Sequence, residues 1–200
     1  MVMTTAAEVL ARARAATGHA ILYWIGQGGR DPHAALPSNP VRVAREWAGL
    51  DPADQRELAP LARQMGIDVT DASLELPACD CSGFVCWALG LARFAPGPDA
   101  GDWINTDSIW ADASGPQRRF QQLRAARPGA LVVYPQKDSG EHYGHVAIVI
   151  ETDDQGSATR IAHCSADNLR SAPYDAIKIT TPEKFTRQHL SIYAWCRDVA

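Results

Sequence analysis

The chain has 200 residues, 46% of them hydrophobic and 21% charged, with a formal net charge of −4. That length buries one sizeable core, and six Trp, five Tyr and four Phe argue against disorder. An acidic balance excludes the basic footprint of a nucleic-acid binder, and no apolar run approaches the length of a membrane span.

Met1 to Ala16 carry Glu8, Arg12 and Arg14 among alanines, a pattern that predicts an amphipathic helix rather than an export signal. The apolar segment Ala20 to Ile25 and the glycine loop Gly26 to Pro32 follow. Residues 27–78 read as an insertion or lid within a single domain spanning 1–200. Short helices fit there at about 40–48 and 52–65, the second with Asp51 as N-cap and Pro52 at the first helical position.

The stretch 81–94 predicts a buried helix. Phe84, Trp87, Ala88 and Leu91 share one face, its other positions are mostly apolar, and Asp80 stands at the N-cap. Ala95-Pro96-Gly97-Pro98 ends it. Asp102 to Ser114 reads as loop-rich, with Trp103, Ile109 and Trp110 assigned to core packing. Strands are expected at 130–134, 145–151, 158–164, 176–180 and 190–196, separated by Gly, Pro, Asp and Ser turns. Helices first and sequential strands after is an α+β pattern with an antiparallel sheet of about five strands.

Cysteines stand at 79, 81, 86, 164 and 196, an odd number, so at least one is unpaired within the chain. Cys81 opens the buried helix, where the positive end of the helix dipole and free backbone N–H groups favour a thiolate and can hold an oxyanion. Gly83 keeps the first turn uncluttered for an approaching substrate. A nucleophilic thiol needs a base, and His145 begins an otherwise apolar strand. If strands 145–151 and 158–164 form a hairpin around Asp153-Asp154-Gln155-Gly156, His145 and His163 lie side by side, and His163 orients the base.

The segment Asp80-Cys81-Ser82-Gly83-Phe84-Val85, with Gly144-His145-Val146-Ala147-Ile148-Val149-Ile150, resembles the NlpC-type family of papain-like cysteine endopeptidases. Arg127 to Tyr134 is similar to that family's preceding strand. Tyr23-Trp24-Ile25-Gly26 is similar to its Tyr-x-x-Gly stretch, and Ile161-Ala162-His163-Cys164 to the strand of its third catalytic residue. The resemblance implies a papain-like fold with N-terminal helices and the nucleophile helix packed on the sheet. It implies Cys81 as nucleophile, His145 as base and His163 as orienting group, with Tyr23, Asp80 and Ser82 contacting substrate. Asp80 has two open roles, a partner for a substrate amine or a plain helix cap. Ala130 stands where the family has Asp after Pro-Gly, and residues 27–78 exceed what the family needs.

The implied activity is hydrolysis of an amide bond in peptidoglycan stem peptides, between γ-D-glutamate and a diamino acid, with peptidoglycan or a muropeptide as substrate and no cofactor. A cell-wall-degrading effector with an immunity partner, an acyltransferase and a non-catalytic binding module are the alternatives. Without an export signal the expected location is the cytoplasm, or the periplasm after delivery by a non-classical route. Zinc is not expected, because Cys-x-Cys-x4-Cys matches no common structural site. His142 is expected in a solvated loop or at the site rim, and Cys86 and Cys164 as small core residues.

Overall fold

The structure, a computed structural model, describes residues 4–94 and 103–200. The expected helix stop at Ala95 to Pro98 lies outside the described residues. The N-terminal helix α1 (Ala6–Ala15) forms as the sequence predicts: Thr5 and Glu8 make a reciprocal capping box, and Val9 and Ala13 turn inward. Helix α3 (Pro52–Gln64) also starts where expected, its N-cap Asp51 accepting from the N–H groups of Ala53 and Asp54.

Between them the chain departs from the expected helix at 40–48. Asn39–Arg42 is a strand, β2, and only Val43–Ala48 is helical, α2. Pro40 has no N–H to give and is held on an edge strand of a small sheet. The centre of that sheet is β3 (Glu75–Cys79), parallel to β1 (Leu22–Tyr23) and antiparallel to β2. Leu22, Val41 and Ala78 form its small core, with Trp24, Ile67 and Leu76 around them. Helix α3 buries no residue fully, although Leu61 and the following Met65 lean on the main core.

The buried helix α4 runs from Cys81 to Ala88, shorter than the expected 81–94. Gly90 takes a left-handed φ of +74°, which ends the helix and turns the chain back towards Arg93. Every residue of α4 is buried. Thr106–Ser114, expected as loop, is helix α5, because Asn105 and Ser108 cap each other and Ile109 and Ala113 fall on one buried face.

The large sheet has six strands rather than about five, and every pairing is antiparallel. They are β4 (Phe120–Leu123), β5 (Leu131–Tyr134), β6 (His145–Thr152), β7 (Ala158–Cys164), β8 (Ile177–Thr180) and β9 (Ile192–Cys196), in the order β4-β9-β5-β6-β7-β8. The unexpected strand is β4, whose Gln121 and Gln122 face solvent and give little apolar signal. Val146, Ile148 and Ile150 face the core that holds α4, while Ala147 and Val149 face a second cluster with Phe185 of the short helix α6 (Glu183–Thr186). The protein is therefore α+β, with the sheet covered on both faces. Among the described residues no helix is long and apolar enough to cross a membrane.

Gly83 does a different job from the expected one. The space a Cβ would take there is filled by the chain's own loop: it would sit 2.5 Å from the Gln27 carbonyl oxygen and 2.8 Å from the Gly28 carbonyl carbon. Gly83 therefore lets the 26–29 loop close over the first turn of α4. Gly83→Ala must push backbone aside, and overpacking of this kind costs about 1–3 kcal/mol. For a chain of this size that lowers the melting temperature by roughly 2–12 °C in a thermal unfolding scan.

Candidate active site

Strand β3 runs straight into α4, so the small sheet sets where Cys81 stands. Asp80 is extended, at φ −114°, and its Oδ1 accepts from the Gly83 N–H at 2.8 Å, the N-cap bond expected from the sequence. Ser82 Oγ donates to the same oxygen at 3.1 Å. Oδ2 accepts from the Gly26 N–H at 2.7 Å and pairs with Arg93 Nη2 at 2.6 Å. Arg93 also donates to Ser82 Oγ and the Gln27 carbonyl, and its guanidinium lies 4.2 Å from the Trp103 ring centroid. Asp80 is thus a cap whose charge already faces a buried cation.

Arg93 belongs to none of the sequence motifs. Its only signal is a lone charge within the otherwise apolar stretch from Phe84 to Phe94.

Cys81 is buried, and its thiol is not the thiolate that the helix N-terminus alone would favour. Burial, and next the Asp80 charge, push it up to about 12. The N–H groups of Val146 and Ser82 and the Arg93 charge pull the other way without overcoming burial. The Val146 N–H contact sets the sulfur against the start of β6, one residue along the strand from His145.

His145 Nε2 lies 2.8 Å from His163 Nδ1. The β6–β7 register pairs Ile148 with Ala162. Carried to the strand ends, it makes the two histidines diagonal neighbours on one face, a small shift from the side-by-side expectation. The turn beneath them is the expected one: Asp153 Oδ1 accepts from the Gln155 and Ser157 N–H groups. Phe185 stacks on the His145 ring at 5.3 Å. Burial first, then the neighbouring His163 and Lys184, hold His145 well below the usual histidine range. Burial and Lys184 lower His163 to about 4, against a smaller opposing pull from Asp167. Burial thus disfavours both the thiolate of Cys81 and the imidazolium of His145. The ultraviolet difference spectrum between the protein and its Cys81→Ala variant should therefore show no thiolate band at neutral pH, where an ion-paired site would show one.

A cleft of about 150 Å³ opens over Cys81, lined by Tyr23, Asp80, Ser82, Trp103 and Asp107 among others. The Tyr23 hydroxyl is strongly disfavoured from ionising, by burial and next by the nearby Cys81 and Asp80. Exposed Ile25 and Tyr143 stand at the cleft. His142 is in an exposed loop, its ring against Tyr143. Cys79, Cys86, Cys164 and Cys196 are buried and free of disulfides.

The CHAP domain family model matches residues 72–164, just under half of the chain, and takes in Cys81, His145 and His163. This agrees with the papain-like, NlpC-type resemblance read from the motifs. No curated protein matches the chain. Among solved structures it is similar to Ly7917 at 19% identity, covering 96% of this chain and 63% of that one, with a TM-score of 0.36. The structure of Ly7917 with the hydrolyzing product of MDP gives the same identity and coverage and a TM-score of 0.40. The chain thus spans less than two thirds of the length of these structures.

Proposed function

We propose that the protein is a cysteine hydrolase that cuts an amide bond in peptidoglycan stem peptides. The observation that carries this is the linked pair His145 and His163, with Cys81 held against the N–H of Val146, the residue after His145, all within the segment matching the CHAP domain, a cysteine- and histidine-dependent amidohydrolase/peptidase. The finer reading, a papain-like endopeptidase acting between γ-D-glutamate and a diamino acid, rests on the motif resemblance.

In this mechanism His145 takes the thiol proton as Cys81 Sγ attacks the carbonyl carbon. Concerted removal suits a thiol that burial keeps neutral. The Gly83 N–H is already used by Asp80 and the Ser82 N–H faces the resting thiol, so the Cys81 N–H at the start of α4 is the one left to meet the oxyanion, joined by the Ser82 N–H as the sulfur moves onto the carbonyl. His145 then gives its proton to the leaving amine. Water attacks the thioester, with His145 again as base, and releases the acid and the thiol.

Tyr23 presents its hydroxyl to the substrate. Asp80 and Ser82 shape the cleft floor, and Arg93 balances the charge of Asp80 so that it does not act as a bare anion towards a substrate amine. Residues 27–78 serve as an insertion within one catalytic domain, and their first residues clamp the nucleophile turn. An injected effector role would bring an immunity protein that occludes this cleft.

The test is incubation with intact peptidoglycan and with free muropeptides, followed by mass spectrometry. A newly freed diamino-acid amine is expected. Products cut in the sugar chain, or none from either substrate, would overturn the proposal.

A further inference from the structure

The histidine pair does not end at His163. His163 Nε2 lies 3.0 Å from the Thr180 hydroxyl, and that hydroxyl donates to the Thr181 carbonyl at 3.1 Å. The β7–β8 register explains the contact. His163 pairs with Lys178, and Thr180, two residues on, is its diagonal neighbour on the same face. Lys178 itself turns away to the Ser171 carbonyl.

A threonine hydroxyl has one proton to donate. Here the Thr181 carbonyl takes it, so the oxygen can only accept from His163. His163 therefore carries its proton on Nε2 and has a bare Nδ1. That Nδ1 accepts from His145 Nε2–H, which leaves His145 Nδ1 bare. The opposite orientation, with Thr180 donating to His163, would reverse every step and put a proton on His145 Nδ1. His145 would then have no lone pair left for the thiol.

We infer that Thr180 is a positioning residue that fixes the tautomer of both histidines, with the Thr181 carbonyl as the anchor of the chain. The catalytic consequence rests on His145 being the base for Cys81, as proposed above; the tautomer assignment does not. Lys184 of α6 and Asp167 of the 3-10 turn Ala166–Arg170 are the charged groups acting on the pair. Both charges are present whichever way the Thr180 hydroxyl turns, so neither replaces its orienting role.

The test is long-range proton–nitrogen NMR of the histidine rings in the substrate-free protein, together with Thr180→Val and Thr180→Ser. The wild type should show both rings protonated at Nε2 alone. Thr180→Val should give mixed tautomers, and Thr180→Ser should restore the wild-type pattern. On a muropeptide that the wild type cleaves, Thr180→Val should lower kcat roughly tenfold with little change in KM, far less than the fall of about 10⁴ that follows a fully enforced wrong tautomer. Protonation at Nδ1 in the wild type, or a Thr180→Val variant with wild-type tautomers, overturns the inference. If no muropeptide is cleaved, the functional reading fails, and the ring spectra still decide the tautomers. If Thr180→Val does not fold, the wild-type and Thr180→Ser spectra decide them alone.

Discussion

Cys81→Ala should reduce hydrolysis by roughly four to six orders of magnitude while leaving a folded protein. In the proposed mechanism the catalytic loss is large because the sulfur forms the bond to the substrate carbonyl, and neither His145 nor the helix N-terminus can take over that step. The structural cost is small. Removing one buried sulfur forfeits about 1 kcal/mol of burial, a shift of roughly 2–4 °C in melting temperature. Steady-state turnover of a muropeptide beside a thermal scan separates the two effects. A variant that melts normally and still turns over at a tenth of the wild-type rate would remove Cys81 from the mechanism.

Arg93→Met should cause the larger structural loss. The Arg93–Asp80 pair is almost fully buried, with side chains 2% and 5% exposed. Methionine keeps the bulk but leaves the Asp80 carboxylate buried opposite no cation. Breaking one side of such a pair costs about 3–5 kcal/mol, which is roughly 6–20 °C in melting temperature for a chain of this size. Activity should fall as well, because Asp80 caps the helix that carries Cys81. Replacing Arg93 and Asp80 together, with Asn at 80 to keep a cap, should recover part of the loss, since no charge is then stranded. A single Arg93→Met variant that melts like the wild type would show that the pair does not hold the site together.

Much of this site is legible from residue type and spacing because it is built locally. An N-cap acid, a cysteine and an apolar run fix the start of α4, and a tight turn between two apolar strands fixes the meeting of His145 and His163. What the sequence hides is set by long-range contact. Arg93 meets Asp80 only because Gly90 turns the chain back, and Thr180 meets His163 only through the β7–β8 register. Considered with the helix alone, Gly83 leaves room for substrate; the 26–29 loop that fills its space arrives from far away in the sequence. The ionisation of Cys81 follows the same logic. The local helix end argues for a thiolate, and burial by the whole fold decides for the thiol. Strand β3 is hidden because Pro77 and the charged Glu75 interrupt its apolar pattern, and α5 because two of its buried positions are the polar Ser108 and Asp112.

In the proposed mechanism Cys81 attacks a peptide carbonyl and carries the acyl group before water does. Hydroxylamine added at neutral pH during peptidoglycan digestion tests it directly, because it competes with water for a thioester. The newly cut end should appear partly as a hydroxamate by mass spectrometry, in proportion to the hydroxylamine present, and Cys81→Ala should yield neither hydroxamate nor acid. Cleavage that gives the free acid alone at every hydroxylamine concentration, and that persists in Cys81→Ala, would contradict it.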